Sequence, residues 1–452
     1  MAQKISTEEL TKHATAKDCW ILVNGKVYDL TNFAPEHPGG ADSMLKIILP
    51  TPTSQLTALA VITKYAGKDG TKTYNTYHSA SLIDKILSDA EKKGDFDKST
   101  TTTAWLAAQQ EAATPEVSSD EKPELSAIIN LDDFEQAFAK VGAKKAQAYI
   151  SGASNDLLTL NANKSFWQKL WFRPRIMRNV ASVSTRTRML GCEVFMPVWI
   201  CPMGIAKTAG EEGERALGAG AARSGIVHCM STAASMSVED ILSSAPKTYP
   251  FFFQLQEKSR IDKKGAGLAR TTGGFIDPAL NWDDISWVRT HTNLPIVIKG
   301  VQSAADARKA MEMGCQGIVI SNHGGRALDG APATILVLLE IRRDCPEVFE
   351  KMEVHIDGGV RRGSDVLKAV CLGAHGVGVG RPFQCSVLYG TEGVETAAAI
   401  LQDELETAMR LCGVTNLEAA RGDMSYLNTS ELEQYLPKPE RQPWFAGLRA
   451  RL

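Results

Sequence analysis

Between Val194 and Gly380 the chain repeats one pattern, a short β-branched run that ends in small or polar residues, followed by a stretch with helical periodicity. The runs are Val194–Cys201, Gly225–Met230, Tyr249–Leu255, Pro295–Lys299, Gly317–Ser321, Glu353–Asp357 and Gly376–Gly380. Helical patterns stand at Gly213–Ser224, Ala304–Met313, Pro332–Asp344 and Ser364–Leu372. Strands alternating with helices in this way build parallel sheets, because each crossover returns the chain to the same end. On this scale the expected architecture is an α/β TIM-type (β/α)8 barrel. Seven runs fall one short of closure. The widest interval, Leu255 to Pro295, holds one helical stretch, Trp282–Thr292, and a Gly/Lys/Arg/Thr-rich segment, Glu257–Gly274, with no strand run. The barrel is therefore expected to lack its fourth βα unit.

The repeat leaves much of the 452 residues unaccounted for. Residues 89–126 are Thr/Ser/Glu-rich without an apolar period and read as a flexible linker. The expected organisation is a small α+β domain over 1–88, the linker, the barrel over 127–430 and a tail over 431–452. Fifty basic against 52 acidic residues leave a net charge of −2, so no overall field recruits nucleic acid or an anionic membrane. No run approaches the ~20 apolar residues of a membrane span. The nine cysteines are scattered without C-x-x-C or zinc spacing, which suits free thiols in a reducing compartment. Met1–Ser6 offers neither a secretory core nor a mitochondrial presequence. Ala450-Arg451-Leu452 resembles the S-K-L class of tail. The expected location is cytoplasmic or peroxisomal.

In the small domain, Asp18–Leu30 reads as a strand, an Asn24-Gly25 turn and a second strand. It leads to Phe33-Ala34-Pro35-Glu36-His37-Pro38-Gly39-Gly40, where Pro and two glycines leave the His37 imidazole free to project. Neutral imidazole is a good axial ligand for haem iron. Together with Val27-Tyr28-Asp29-Leu30 and His78 ahead of the helical Ser81–Leu87, these motifs resemble the cytochrome b5 haem-binding family over most of residues 4–88. The resemblance implies haem b, with His37 and His78 as its axial ligands. The interval between them exceeds the family's by roughly 18 residues, a length a surface loop absorbs at small entropic cost. The surplus is the apolar, Pro-broken stretch 47–63.

In a barrel the chemistry sits where strands end. Ser321-Asn322-His323-Gly324-Gly325-Arg326 places an imidazole and a guanidinium three residues apart in a glycine-freed loop, a base beside a carboxylate clamp. Pro295–Gly300 ends a buried strand in Lys299, and Asp357-Gly358-Gly359-Val360-Arg361-Arg362-Gly363 and Gly378-Val379-Gly380-Arg381-Pro382 pair glycine turns with arginine after consecutive strands. Such a pair suits a phosphate. From Asn130 to about Met424 the chain resembles the FMN-dependent 2-hydroxy-acid dehydrogenase/oxidase family. Joined to the haem domain, it resembles the flavocytochrome b2 type of L-lactate dehydrogenase.

That resemblance implies FMN, with its phosphate at Gly358, Gly359, Arg361, Gly380 and Arg381, and with Ser231, Gln254, Lys299, Ser321 and Asp357 also binding the cofactor. Lys299 would stabilise the reduced, anionic flavin. His323 would take the substrate's proton, Arg326 would bind its carboxylate bidentately, and the Tyr149 hydroxyl would bind the same carboxylate. The implied partners are a small 2-hydroxy acid and a one-electron acceptor such as cytochrome c; members are often homotetramers, and the mitochondrial intermembrane space enters by resemblance alone.

The match breaks in one place. After Gln254-Leu255 stands Gln256 where the family has tyrosine, and the chain runs through Gly265-Ala266-Gly267 to the matching Phe275-Ile276-Asp277-Pro278. The family's next βα unit, its substrate-binding arginine and the aspartate paired with the histidine are missing. Met203-Gly204 also replaces a common Thr-Ala. An insertion and a deletion in one otherwise intact motif series point to misplaced exon boundaries, with a defective paralogue as the other source. Three functions stay open: an L-2-hydroxy-acid dehydrogenase passing electrons through haem, a haem electron carrier on a degenerate barrel, and an oxidase delivering electrons to oxygen.

Overall fold

The structure is a computed structural model and describes residues 4–15, 17–33, 65–102, 105–106, 121–255 and 279–438. His37, the surplus 47–63, Gln256, the segment to Pro278 and the Ala450–Leu452 tail lie outside these residues.

The amino-terminal module is a five-stranded sheet: β1 (Lys4–Ile5), β2 (Ala14–Thr15), β3 (Asp18–Val23), β4 (Lys26–Asp29) and β5 (Lys92–Phe96), in the order β1-β5-β4-β3-β2. Asn24 and Gly25, at φ +52° and +82°, make the expected hairpin turn between β3 and β4. Helices Thr71–Tyr77 and Leu82–Ile86 belong to the same module, where Ile83 joins the apolar cluster of Cys19, Ile21, Val23, Tyr28, Leu30 and Ala66.

The ordered module continues past residue 88, where a linker was expected. β5, with the sequence Lys-Lys-Gly-Asp-Phe, pairs parallel to β1 and antiparallel to β4. A strand this polar carries no hydrophobic alternation, so only its ladder partners reveal it. Trp105 then packs beside Leu10, Leu22 and Val27, stacks on Phe96 at 5.6 Å, and donates through Nε1 to the Gly67 carbonyl at 3.1 Å. Trp105→Ala is expected to destabilise the module by about 3–5 kcal/mol. Thermal unfolding followed by far-ultraviolet circular dichroism checks this; an unchanged transition would place Trp105 outside the module's core.

The large unit opens with helices Leu131–Val141, Lys144–Ser151 and Leu158–Gln168. Asn130 and Asp133 form a capping box on the first, and its Leu131, Phe134, Ala137 and Phe138 are buried. Next come β6 (Trp171–Phe172) and an antiparallel hairpin of β7 (Thr187–Met189) and β8 (Cys192–Val194). The expected strand Val194–Cys201 is split. Pro197 has no N–H to give a ladder, so β8 stays in its hairpin and the barrel strand begins after the proline.

Seven parallel strands follow: β9 (Val198–Ile200), β10 (Val227–Met230), β11 (Phe251–Phe253), β12 (Val297–Val301), β13 (Gly317–Ile320), β14 (Glu353–Asp357) and β15 (Gly376–Val379). Their order is β11-β10-β9-β15-β14-β13-β12, and a final β16 (Leu427–Asn428) pairs with β6. β9 sits beside both β10 and β15, so the sheet curls as a barrel does. Among the described residues β11 and β12 each have one ladder partner, and the unit between them is the one the repeat lacks. Helices Gly213–Arg223, Ala304–Glu312, Thr334–Asp344 and Gly363–Cys371 stand within about two residues of their expected bounds. Their buried aliphatic faces join the strands in one large core.

Candidate active site

Three strand ends converge on one group of charges. Lys299 stands on β12 at a register shift between Lys299 and Val301, with Gly300 at φ +105°. A bulge of this kind re-aims a side chain near the end of a strand. The Lys299 ammonium lies 3.2 Å from an Asp357 oxygen at the end of β14 and donates to Ser321 Oγ at 3.0 Å after β13. Ser321 donates to the other Asp357 oxygen at 2.6 Å and accepts from the His323 N–H at 3.0 Å. Burial opposes the Lys299 charge, yet Asp357 beside it, with lesser help from Cys201 and Cys229, holds its pKa above the usual value.

The loop after β13 is tightly specified. His323, Gly324 and Gly325 are successively left-handed, at φ +57°, +62° and +81°. A non-glycine residue there costs about 1–3 kcal/mol and persists only where its surroundings enforce it. The enforcement is visible: Asn322 and Asn163 exchange side-chain amide bonds of 2.7 and 2.9 Å, Asn322 Oδ1 accepts from Gly325 N at 3.0 Å, and the Ser154 N–H donates to Gly325 O at 3.0 Å. A Cβ on Gly325 would stand 2.7 Å from the Leu160 nitrogen, so only glycine fits.

Arg326 and Arg381 meet at the carboxyl end of helix Lys144–Ser151. Arg326 donates to the Tyr149 and Ile150 carbonyls, the latter at 2.9 Å, and lies over the Tyr149 ring at 5.1 Å. Arg381 donates to the carbonyls of Ile150, Gly152 and Gly324 at 2.9–3.0 Å. Burial and the neighbouring Arg326 and Arg361 depress the Arg381 pKa to about 9. Burial, then Lys299, Arg326 and Arg381, push the His323 imidazole down to about 3. Burial also raises the Tyr149 phenol, against the opposing pull of Arg326. The hydroxyl lies against Gly204, where a Cβ would be 3.3 Å from it.

The remaining expected residues fall into separate sets. Ser231 donates to Gln254 Oε1 at 3.2 Å, tying the ends of β10 and β11. Gly358 and Gly359 owe their backbone to close packing: a Cβ on Gly359 would meet the Asn163 carbonyl oxygen at 2.1 Å, and Trp167 Nε1 donates to Gly358 O at 2.9 Å. Arg361 pairs with Glu135 at 2.5 Å and Asp132 at 3.3 Å. Glu135 is a charged partner of this set that the sequence did not single out; its one signal was an acid on the polar side of the first barrel helix. Burial works against the Glu135 charge, but Arg361 and Lys164 outweigh it and hold its carboxyl below the usual range.

These residues fit a flat, anionic cofactor. A Cβ on Gly300 would have no neighbour within 4 Å and one on Gly380 none nearer than 3.8 Å, so unfilled space lies over two glycines, each adjacent in sequence to a cation, Lys299 or Arg381. Around His323 stand three cations, and the carboxylate bonded within this group is that of Asp357. An added anion relieves that imbalance. In the small module, His78 caps helix Thr71–Tyr77 with its ring 5.1 Å from Tyr74, which packs on the apolar cluster. Such a setting suits one imidazole ligand of a haem.

Comparison with known proteins agrees with this division. The pattern of the FMN-dependent dehydrogenases matches residues 139–264 and 256–427. That of the cytochrome b5-like haem/steroid binding domain matches residues 6–48. The chain is 36% identical to L-lactate dehydrogenase (cytochrome) of Saccharomyces cerevisiae, over 94% of this chain and 80% of that one. It is 34% identical to glycolate oxidase 3 of Oryza sativa subsp. indica, over 64% of this chain and 94% of that one. Among solved structures, a flavocytochrome b2 variant with pyruvate bound superposes with a TM-score of 0.65 at 38% identity, covering 71% of this chain and 91% of that one. A mandelate oxidase variant with (S)-mandelic acid gives 0.59 at 31% identity, covering 67% and 98%.

Proposed function

The chain belongs to the FMN-dependent dehydrogenase family and carries a cytochrome b5-like module ahead of its barrel; from that premise we propose that it oxidises a small L-2-hydroxy acid of the L-lactate kind to the 2-keto acid. The observation that carries this reading is the meeting of Lys299, Ser321 and Asp357 at three strand ends beside the His323–Arg326 loop. When bound, FMN accepts two electrons from the substrate and haem b relays them singly to an acceptor such as cytochrome c.

In this reading His323 is the base. Its neutral imidazole takes the proton of the substrate as C2 is oxidised, and burial, then Lys299, Arg326 and Arg381 around it, favour the neutral form beforehand. Arg326 leaves the Tyr149 and Ile150 carbonyls to form a bidentate pair with the substrate carboxylate, and the Tyr149 hydroxyl binds the same group. Lys299, fixed by Asp357 and Ser321, would hold a positive charge beside the bound flavin. Ser231 and Gln254 would hold the flavin ring, and Gly358, Gly359, Gly380, Arg361 and Arg381 would hold the phosphate. Arg361, which pairs with Glu135 here, would supply its guanidinium to the phosphate. His78, and His37 outside the described residues, would supply the imidazole ligands of the haem iron.

No helix among the described residues is long and apolar enough to cross a membrane. The proposed location stays cytoplasmic or peroxisomal, and the proposed assembly is a homotetramer.

An anaerobic titration with L-lactate or glycolate tests the function. Flavin absorbance is expected to bleach first and the haem bands to sharpen afterwards, with cytochrome c reduced on addition. A haem spectrum with no flavin would support the electron carrier on a degenerate barrel, and rapid peroxide formation in air would support the oxidase.

A further inference from the structure

Among the described residues the two units touch through one compact hydrogen-bonded junction. From the barrel side, Lys207, in the loop after β9, donates through Nζ to the His78 carbonyl at 2.9 Å. From the module side, the Ser79 N–H donates to the Ser235 carbonyl at 3.0 Å, in the loop after β10. The backbone is thus gripped at His78 and at the residue that follows it. The two barrel loops are themselves joined: Lys207 N donates to Ser235 Oγ at 3.1 Å.

Beneath them lies Glu214, 1% exposed, on helix Gly213–Arg223. Its carboxyl accepts from Ser235 N at 2.7 Å, Ser235 Oγ at 2.5 Å and Ala206 N at 3.0 Å. A buried acid with no cation bonded to it is costly unless its hydrogen bonds are needed. Here they lock together the two loops that carry the contact. Around this centre, Lys85 reaches Ser237 Oγ and Glu239, each at 2.9 Å, and Ser81 reaches Asp240 at 3.3 Å. Of these, the Lys85–Glu239 and Ser81–Asp240 pairs are exposed and weak. The loop after β10 begins at Ser231, beside the proposed flavin, so one short segment touches both cofactor regions.

We propose that Lys207 and Ser235, braced by Glu214, are positioning residues for electron transfer between the units, holding the haem-ligand segment in register with the flavin-side loop. This rests on the haem–flavin reading above. The group moved is an electron, passing from reduced FMN to ferric haem, and no bond forms or breaks. Lys207 bonds to His78 and Ser235 and is not among the residues assigned to substrate or flavin, so its loss should leave flavin reduction alone. A tether across the linker keeps the module nearby, so loss of docking slows transfer without abolishing it.

The test uses the full holoprotein and its Lys207→Met, Lys207→Arg and Glu214→Gln variants. In anaerobic rapid mixing with L-lactate, flavin bleaching is expected to keep its rate in Lys207→Met while haem reduction slows about 10-fold or more. Lys207→Arg, which keeps a donor, should recover most of that rate, and Glu214→Gln should fall between. Dithionite should reduce the haem of every variant equally. Independently of turnover, hydrogen exchange at the Ser79 amide should accelerate in Lys207→Met. Haem reduction at the wild-type rate with unchanged Ser79 exchange overturns the proposal. Wild-type protein whose flavin never bleaches refutes the haem–flavin reading, and the exchange measurement still decides the docking.

Discussion

Replacing His323 by asparagine lowers the rate at which L-lactate bleaches the flavin by about 10²- to 10⁴-fold, the range expected when a positioned base is removed. Flavin content should hold, because the asparagine still donates its N–H to Ser321 and asparagine tolerates the left-handed backbone that His323 adopts. The pH dependence carries a second signature. Burial and three cations hold this imidazole neutral down to about pH 3, against about 6.5 in an unfolded chain. Measured as kcat/KM, which reports the enzyme before substrate binds, flavin reduction should therefore show no loss on crossing pH 6.5 from above. A carboxylate ligand offsets the cations and moves the midpoint upward. The stability sign follows: between those values the unfolded chain binds the extra proton, so this contribution is complete above about 6.5 and is lost as pH falls toward 3. A pH–rate profile with an ordinary histidine midpoint and no ligand dependence would contradict the assignment.

Gly359→Ala is expected to have the other large effect, on folding. The added methyl would stand 2.1 Å from the Asn163 carbonyl oxygen and 2.3 Å from its carbon, at φ +80°. Those atoms belong to the backbone of helix Leu158–Gln168 and cannot swing aside as a side-chain tip could. The cost is about 3–5 kcal/mol, a fall in melting temperature on the order of 10 °C, with the phosphate loop displaced. Gly330→Ala is the control. It shares the left-handed backbone, at φ +85°, but has open space around its Cβ, and should cost only about 1 kcal/mol. Equal shifts for the two variants would show that backbone strain, not collision, sets the cost at 359.

Much of this site was legible because its motifs announce themselves. A histidine between an asparagine and two glycines after a β-branched run, or Asp-Gly-Gly followed by two arginines, has few structural alternatives, and both stand at strand ends. Lys299 was found in the same way, but its ion pair with Asp357 joins residues on different strands and had no local signal. Arg361 was readable as a cation, whereas its engagement by Glu135 and Asp132 depends on where the first barrel helix packs. β5 was missed because a strand of lysine, glycine and aspartate is held by its ladders alone. The break at Pro197 was available to sequence reasoning, since a proline inside a supposed central strand argues against continuity. The junction at His78 was not, because backbone carbonyls leave no mark in a sequence.

Lys299 belongs to β12, which among the described residues has a single ladder neighbour, so the charge proposed to face the flavin is mounted like the free end of a cantilever. On one flank its height is fixed by β13; on the other, no strand among the described residues pairs with it. A polypeptide that paired on that flank would tilt the ammonium without touching substrate or cofactor. The midpoint potential of the flavin would thereby become a gauge of how well the seam of the barrel is sealed.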